Sequence, residues 1–198
     1  MFKTTKSTLF LGAVLSLAPL ALANTPHQSN SLQTFDSSFA APTNQQQQEI
    51  SQLLKDISAA AFKTSVHAGR LESFVRHPNR HSWQTHAWEL TQAKDLINSK
   101  GKALERLKEL RSTALPWQQR AIDRIQPLLA SLADETTKAI QHINQNRQWL
   151  FSPDYKEAIA NMYVQADEVR DYIAVKLDHA EALAKLHEIE AQSEPAGQ

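Results

Sequence analysis

The 198-residue chain has no cysteine, only four glycines and no net formal charge, because 21 basic residues balance 21 acidic ones. The lack of cysteine excludes disulfides, thiolate metal ligands and a lipid-bearing cysteine. The balanced charge provides no basic face of the kind that binds nucleic acid, so nucleic acid is not expected as a partner. Little glycine, combined with much Ala, Leu, Gln, Glu and Lys, favours helix throughout the chain.

Residues 1–23 have the layout of a secretory signal peptide. Lys3 and Lys6 precede an apolar run over residues 9–18, and Ala21-Leu22-Ala23 supplies a small-residue cleavage site. The run is shorter than the ~20 apolar residues of a membrane span, and Pro19 follows it directly. We therefore predict cleavage after Ala23, export to the periplasm or the extracellular space, and no stable membrane span in the mature protein.

Residues 24–43 are rich in Ser, Thr, Asn, Gln and Pro, with Leu32, Phe35 and Phe39 as scattered apolar residues. A segment of this composition buries too little apolar surface to fold by itself, which predicts a disordered polar linker. A docking segment that uses Phe35 and Phe39 is the alternative. At the other end of the chain, residues 191–198 are predicted to be a frayed tail.

Apolar residues recur at three-and-four spacing in four stretches after residue 43, which predicts amphipathic helices. Ser82 and Ser152 are suitable N-caps and Pro116 is a suitable first residue. The predicted helices span residues 44–76, 82–113, 116–148 and 154–190. Short connections make neighbouring helices antiparallel, so we expect an all-α, antiparallel up-down-up-down four-helix bundle over residues 44–190. Three helices, with the middle two merged, are the alternative because Leu115 is a poor N-cap.

Two heptad seams of the coiled-coil type run along the middle helices. They consist of Trp83, Leu90, Ile97 and Leu104, and of Ile122, Leu129, Thr136 and Ile143. Gly101 falls on the apolar face and level with residues 59–61, which predicts a narrow waist where two backbones approach closely. Gly101→Leu is accordingly expected to destabilise the fold by overpacking. At one end of the bundle, Trp117 is expected to pack against Leu186 and the start of the first helix.

The motifs of the usual catalytic and cofactor sites are missing from the sequence. The chain has no Glu-x-x-His pair of a di-iron bundle, no H-E-x-x-H zinc motif, no haem-attachment motif and no glycine-rich phosphate loop. The helical layout also yields no Ser/His/Asp set and no paired carboxylates. The sequence therefore predicts no catalytic residue, no cofactor and no metal, in a protein that is not an enzyme.

The other end of the predicted bundle gathers histidine and aromatic side chains. Counting levels from the turns brings His86 and His142 within about half a helical turn of each other, and Trp83 and Trp149 lie at the same end. These four residues are the candidates for a ligand-binding end. The remaining large residues there are Phe74, Trp88, Phe151 and Tyr155. A hydrophobic plug formed by the whole set is the interpretation we favour, because large side chains fill the gap where helix ends splay.

Three segments carry a resemblance to known proteins: WQTHAWELTQAKDLINSKGK (residues 83–102), PWQQRAIDRIQPLL (116–129) and AIQHINQN (139–146). They resemble a group of exported helical proteins from soil bacteria that have no assigned activity. The matching positions are Trp83, His86, Glu89, Asn98, Gly101, Pro116, Trp117, Asp123, Arg124, His142 and Asn144. The resemblance implies a helical bundle and export, and it brings no catalytic residues with it.

Long helical faces without a chemical motif lead to an expectation about function. We expect a non-enzymatic envelope protein that binds another protein or another copy of itself, with residues 24–43 as a tether. A sensor-like bundle that binds a small molecule or a metal at the histidine-bearing end is the alternative.

The predicted cleavage fixes the first residue of the mature protein as Asn24. It also removes Lys3 and Lys6, so the mature chain carries a net charge of 19 − 21 = −2. Intact-mass spectrometry of the exported protein should give the mass of residues 24–198. Retention of Met1 in the exported fraction would contradict the signal peptide.

Overall fold

A computed structural model describes residues 44–77 and 81–193, and every regular element in this part of the chain is helical. The elements are α1 (Asn44–Arg76), α2 (Trp83–Ser99), α3 (Gly101–Leu110), a 3-10 turn (Arg111–Thr113), α4 (Pro116–Gln145) and α5 (Pro153–Ser193). Only Lys100 separates α2 from α3, so residues 44–77 and 81–193 contain four long helical segments. The prediction of an all-helical fold with four helices is confirmed. The predicted signal peptide, the linker over residues 24–43 and residues 194–198 of the predicted tail lie outside the described residues.

The second predicted helix is interrupted at Lys100, whose backbone N–H donates to Ile97 O at 3.0 Å. Gly101 follows this turn as the first residue of α3, is exposed, and has nothing within 4 Å of the position that a Cβ would occupy. The predicted narrow waist at Gly101 is therefore wrong, and so is the expectation that Gly101→Leu overpacks. The glycine marks the break between two helices, where its low helix propensity is tolerated.

Two helix ends differ from the predicted bounds. α4 ends at Gln145, three residues early, because Trp149 N–H donates to Asn146 O at 2.9 Å and forms a turn. This turn brings Leu150 into the core with 6% of its surface exposed. α5 continues to Ser193, so residues 191–193 of the predicted frayed tail are helical.

The apolar residues form two clusters, and α1, α4 and α5 contribute buried residues to both. The first cluster includes Leu71, Leu90, Ile143, Tyr155, Ile159 and Met162, and the second includes Ile50, Leu54, Leu107, Ile122, Ile125 and Ile173. Buried residues of α2 occur only in the first cluster and those of α3 only in the second. The break at Lys100 thus divides a segment whose two halves serve different parts of the core.

Polar side chains connect the same helices outside the clusters. Arg106 Nε donates to Glu49 Oε1 at 2.7 Å, Arg124 pairs with Glu168, and Gln165 Nε2 donates to Ser131 Oγ at 2.8 Å. Within the described residues, none of the helices combines the length and the apolar character that crossing a membrane requires.

Gln118 holds the corner between the 3-10 turn and α4. Its Oε1 accepts the backbone N–H of Leu115 at 2.9 Å, which is one half of a capping box. The other half is missing because leucine has no side-chain acceptor for the first N–H groups of the helix. Its Nε2 donates to Gln47 O at 3.0 Å and to Ser51 Oγ at 3.1 Å, both on α1. Gln118 has no exposed surface. One buried amide therefore starts α4 and attaches it to the first helix.

Of the two expected partners of Trp117, the start of α1 lines a groove with it and Leu186 does not. The groove that Trp117 lines is shared with Leu183 and Ala184 of α5, whereas Leu186 is 53% exposed. The difference arises because Leu186 lies two residues beyond Ala184, which turns it about 200° around the helix.

Replacing Gln118 by leucine should destabilise the fold by about 1–3 kcal/mol, because the substitution leaves the buried Leu115 N–H and Gln47 O without partners. Urea unfolding monitored by circular dichroism measures the effect. Gln141→Leu, the same change at an exposed position of α4, serves as the control and should stay within about 0.5 kcal/mol of the wild type. Equal effects of the two changes would show that the Gln118 amide contributes nothing specific.

Candidate functional site

Tyr155 is the residue around which the histidine-bearing end is built. Ser152 Oγ accepts the Tyr155 backbone N–H at 3.3 Å, so Ser152 caps α5, and the first turn of the helix puts the Tyr155 side chain in the core without exposed surface. Burial raises the pKa of the Tyr155 hydroxyl above its ordinary value. The hydroxyl is therefore protonated at neutral pH and can both donate and accept a hydrogen bond.

His86 of α2 lies against this hydroxyl and is itself fully buried. Its Nδ1 is 3.0 Å from the Tyr155 hydroxyl oxygen, and the ring of Phe74 meets the imidazole edge-on, 5.4 Å between centroids. Burial, with a smaller contribution from His81, lowers the pKa of His86 to about 4. The ring is neutral at physiological pH. Its Nε2 is buried and has no hydrogen-bond partner among the described residues.

His142 of α4 stacks on the ring of Tyr155, with centroids 5.1 Å apart. Its Nε2 is 3.0 Å from the Trp149 carbonyl oxygen and 3.2 Å from Ser152 Oγ. A carbonyl oxygen can only accept, so Nε2 carries a proton and donates it to Trp149. His142 thereby ties the end of α4 to the residue that caps α5.

Of the four predicted ligand-end residues, the structure brings His86 and His142 onto one tyrosine and leaves the two tryptophans apart. Trp83 is half-buried, and the guanidinium of Arg147 lies over its ring at 4.3 Å. Trp149 contributes its carbonyl oxygen to the site, whereas its indole is 61% exposed. The candidate site is therefore narrower than predicted, and its centre is Tyr155.

The predicted plug of large side chains is divided in the same way. Phe74 and Tyr155 belong to the core cluster. Trp149 and Phe151 stack on each other at 5.8 Å on the surface, and Trp88, 54% exposed, lies 6.1 Å from the ring of His67. The large side chains thus form one internal group, Phe74 with Tyr155, and two surface groups, Trp149 with Phe151 and Trp88 with His67. They do not form the single plug that was predicted.

His86 and His142 do not present a set of metal ligands. His142 uses Nε2 to hold Trp149, and His86 uses Nδ1 on Tyr155, so that Nε2 of His86 is the buried ring nitrogen without a partner among the described residues. Within residues 44–77 and 81–193, no three His, Asp or Glu side chains come together as a metal site requires.

A second polar group, not predicted as a site, connects α1 with α2. Glu89 is only 4% exposed, and its Oε2 is 2.5 Å from His67 Nδ1, while Oε1 is 3.5 Å from a guanidinium nitrogen of Arg70. The sequence contained the signal for this group. Glu89 is three residues from His86 and four from Ala93, so it is a carboxylate on the buried face of an amphipathic helix.

The Glu89–His67 pair can orient an imidazole and hold its Nδ1 proton, which is what a carboxylate does for a catalytic or metal-binding histidine. A catalytic role also requires a reacting group at the other ring nitrogen. The neighbour of the His67 ring in the structure is the edge of Trp88, and the side chain of His67 is 15% exposed. The geometry supports a packed internal hydrogen bond between Glu89 and His67.

No family model, no curated protein and no solved structure matches this chain. Membership in the group of exported helical proteins that the sequence resembles stays a prediction.

The low pKa of His86 makes the stability of the fold depend on pH. Between pH 6.5, the ordinary histidine value, and about 4, the unfolded chain binds a proton that the folded chain does not. The contribution of neutral His86 to the free energy of unfolding is therefore fully present above pH 6.5. It falls by on the order of 3 kcal/mol as the pH approaches 4. His86→Gln should flatten this acid slope.

Urea unfolding at several pH values between 4 and 7 measures the slope. His187→Gln, at an exposed position of α5, is the matched control and should keep the slope of the wild type. An unchanged slope in His86→Gln would show that acid sensitivity arises elsewhere.

Glu89→Gln should cost about 1–3 kcal/mol at pH 7, because the buried carboxylate that faces His67 and Arg70 loses its charge while its shape is kept. Glu109→Gln removes an exposed carboxylate that pairs with Arg106 at 3.0 Å, and should change stability by less than about 1 kcal/mol. Comparable losses from both substitutions would argue against a special role for the internal pair.

Proposed function

We propose that this protein is a non-enzymatic exported protein whose helical bundle acts as a protein-interaction or structural module. One observation carries the proposal. Six of the eleven large apolar side chains exposed in the described part of the chain lie on α5: Tyr163, Val164, Val175, Leu183, Leu186 and Ile189. Apolar surface concentrated on one helix is typical of a contact surface for another protein.

We further infer that the four helical segments form an antiparallel up-down-up-down bundle. Contacts between helices support this direction: later residues of one helix meet earlier residues of the next. The pairs are Glu49–Arg106 and His67–Glu89 for the first two segments, Ser58–Arg170 and Gly69–Tyr163 for α1 with α5, and Arg124–Glu168 and Ser131–Gln165 for α4 with α5.

The arrangement of the buried polar groups supports a non-enzymatic role. Glu89 is engaged by His67 and Arg70, and His86 is engaged by Tyr155. Groups that hold one another in this way stabilise the fold, and a reacting molecule would have to displace them. Export is supported by the signal-peptide pattern of residues 1–23.

Photo-cross-linking from the surface of α5 tests the interaction. A photoreactive amino acid at Val175, which is 63% exposed, should give an adduct with a specific protein, or with a second copy of the chain, in cells that export the protein. The same amino acid at Thr137, an exposed position of α4, is the matched control and should give no such adduct. No adduct from Val175, or an equal pattern from both positions, would contradict the proposal.

A ligand- or metal-binding bundle is the second candidate function, and the unpartnered Nε2 of His86 is the observation that favours it. Elemental analysis and mass spectrometry of the protein purified from its native compartment would reveal a stoichiometric metal or a co-purified ligand. We expect zinc to leave the melting temperature unchanged at pH 7.5. A rise that follows the logarithm of the zinc concentration, and that His86→Gln and His142→Gln both abolish, would establish the second function in place of the first.

A further inference from the structure

We propose that the distal part of α5 forms a parallel, in-register coiled coil with α5 of a second copy of this chain. This inference deepens the proposed interaction function and rests on it, because it names the partner of the α5 surface. The distal seam is defined as the stripe formed by Val175, His179, Ala182, Leu186, Ile189 and Ser193.

The distal part of α5 extends as an exposed helix. Every residue from Glu181 to Ser193 is exposed, although the segment is helical throughout. An uncovered helix of this length is marginal in water by itself, because its few hydrogen bonds do not offset the loss of chain entropy. A partner that covers one face would stabilise it.

The distal seam lies on the side of α5 that faces away from the core. Ile173 is buried and Ala184 lines a groove with Trp117, which identifies the inner side of the helix. Val175 and Leu186 each follow two residues later, and two residues turn a helix by about 200°. α5 therefore carries apolar residues on two opposite sides: the inner side has buried residues as far as Ile173, whereas all six residues of the distal seam are exposed.

The residues of the distal seam are separated alternately by four and three positions, which is the spacing of coiled-coil core positions. Val175, Ala182 and Ile189 occupy one type of core position, and His179, Leu186 and Ser193 occupy the other. Val175 and Ile189 are 63% and 65% exposed, and Leu186 is 53% exposed. These three side chains would gain the most apolar burial from a matching seam.

Charge complementarity selects a second copy in parallel orientation. In a parallel pair, salt bridges form along both edges of the seam. Each one joins the residue directly before a core position of the His179 and Leu186 type to the residue five places later on the other helix. This rule pairs Asp171 with Lys176 of the second copy, and Lys185 with Glu190 of the second copy. The reverse orientation, with the same core residues in contact, would pair Lys176 with Glu190 of the second copy, but it would bring Lys185 next to Lys185 of the second copy and leave Asp171 without a partner there. The parallel orientation therefore satisfies more of the charges beside the distal seam.

Three of these four charges are exposed: Asp171, Lys185 and Glu190. Lys176 is half-buried, and Asp171 accepts a hydrogen bond from Arg170 Nε of its own helix at 2.8 Å. Lys185 pairs with Glu181 of its own helix at 2.9 Å, an exposed pair that contributes little to stability and can be exchanged. Glu181 and Glu188 lie away from the distal seam, so their charges do not oppose association.

Sedimentation equilibrium of the purified full mature chain, over a wide range of concentrations, tests the association. The wild type should reach twice the monomer mass. Leu186→Glu should weaken the dimer at least about a hundredfold, because a charge replaces an apolar core residue in both copies. Val66→Glu introduces the same charge at an exposed apolar position of α1 and should leave the association unchanged. Circular dichroism checks that both variants keep their helix.

Site-specific cross-linking tests the parallel orientation of the two α5 helices. Because the chain has no cysteine, an introduced cysteine is the only thiol that can react. Ser193→Cys should form a disulfide-linked dimer on mild oxidation, since a parallel register brings the two copies of residue 193 together. Thr137→Cys, exposed on α4, should stay monomeric under the same conditions.

A monomer at all concentrations, a dimer that Leu186→Glu leaves intact, or equal cross-linking from both cysteines would overturn the inference. An adduct between Val175 and a different protein, found together with a monomeric chain, would refute self-association and leave the proposed interaction function standing.

Discussion

Burial of the inner face of α5 is the interaction on which the rest of the structure depends. Tyr155, Ile159 and Met162 on this face belong to the first apolar cluster, and Val169 and Ile173 belong to the second. No side chain among these five is exposed. α2 and α3 each reach only one cluster, so α5, together with α1 and α4, provides the continuity between the two halves of the core. Loss of this face would leave α1 and α4 as the only described helices that connect the two clusters.

The helical segments could be predicted from the sequence because apolar periodicity and cap residues are local signals. Ser152 caps α5, and Ser82 Oγ accepts the Thr85 N–H at 3.4 Å to cap α2. The break at Lys100 and the role of Gln118 could not be predicted in this way. Periodicity continues across a single turn residue, and the partners of Gln118 on α1 are 67 and 71 residues away in the chain. Such contacts depend on how the helices pack.

The distinction between local signals and contacts that depend on helix packing also explains which features of the candidate site could be predicted. Counting levels brought His86 and His142 together correctly, because helix rise fixes the height of a residue. It did not reveal that Tyr155 lies between them, nor that the Trp149 indole points to solvent, because height carries no information about direction around a helix. Glu89 was visible as a carboxylate on an apolar face, but identifying its partners required the relative rotation of α1 and α2. Polar partners inside a bundle are the least local feature of the fold.

If the distal seam binds a second copy as proposed, the two faces of α5 separate stability from recognition. The inner face, with Tyr155 and its histidine neighbours, is packed without exposed surface, so any change there acts first on the folded state. The distal seam touches none of these groups: Val175, Leu186 and Ile189 are exposed, and covering them would require no rearrangement of the core. A helix of 41 residues can keep these roles apart because its last turns extend beyond the buried positions, which end at Ile173. Protonation of His86 would therefore weaken the bundle itself, whereas the charges beside the distal seam, Lys185 and Glu190, would respond to salt and leave the core unaffected.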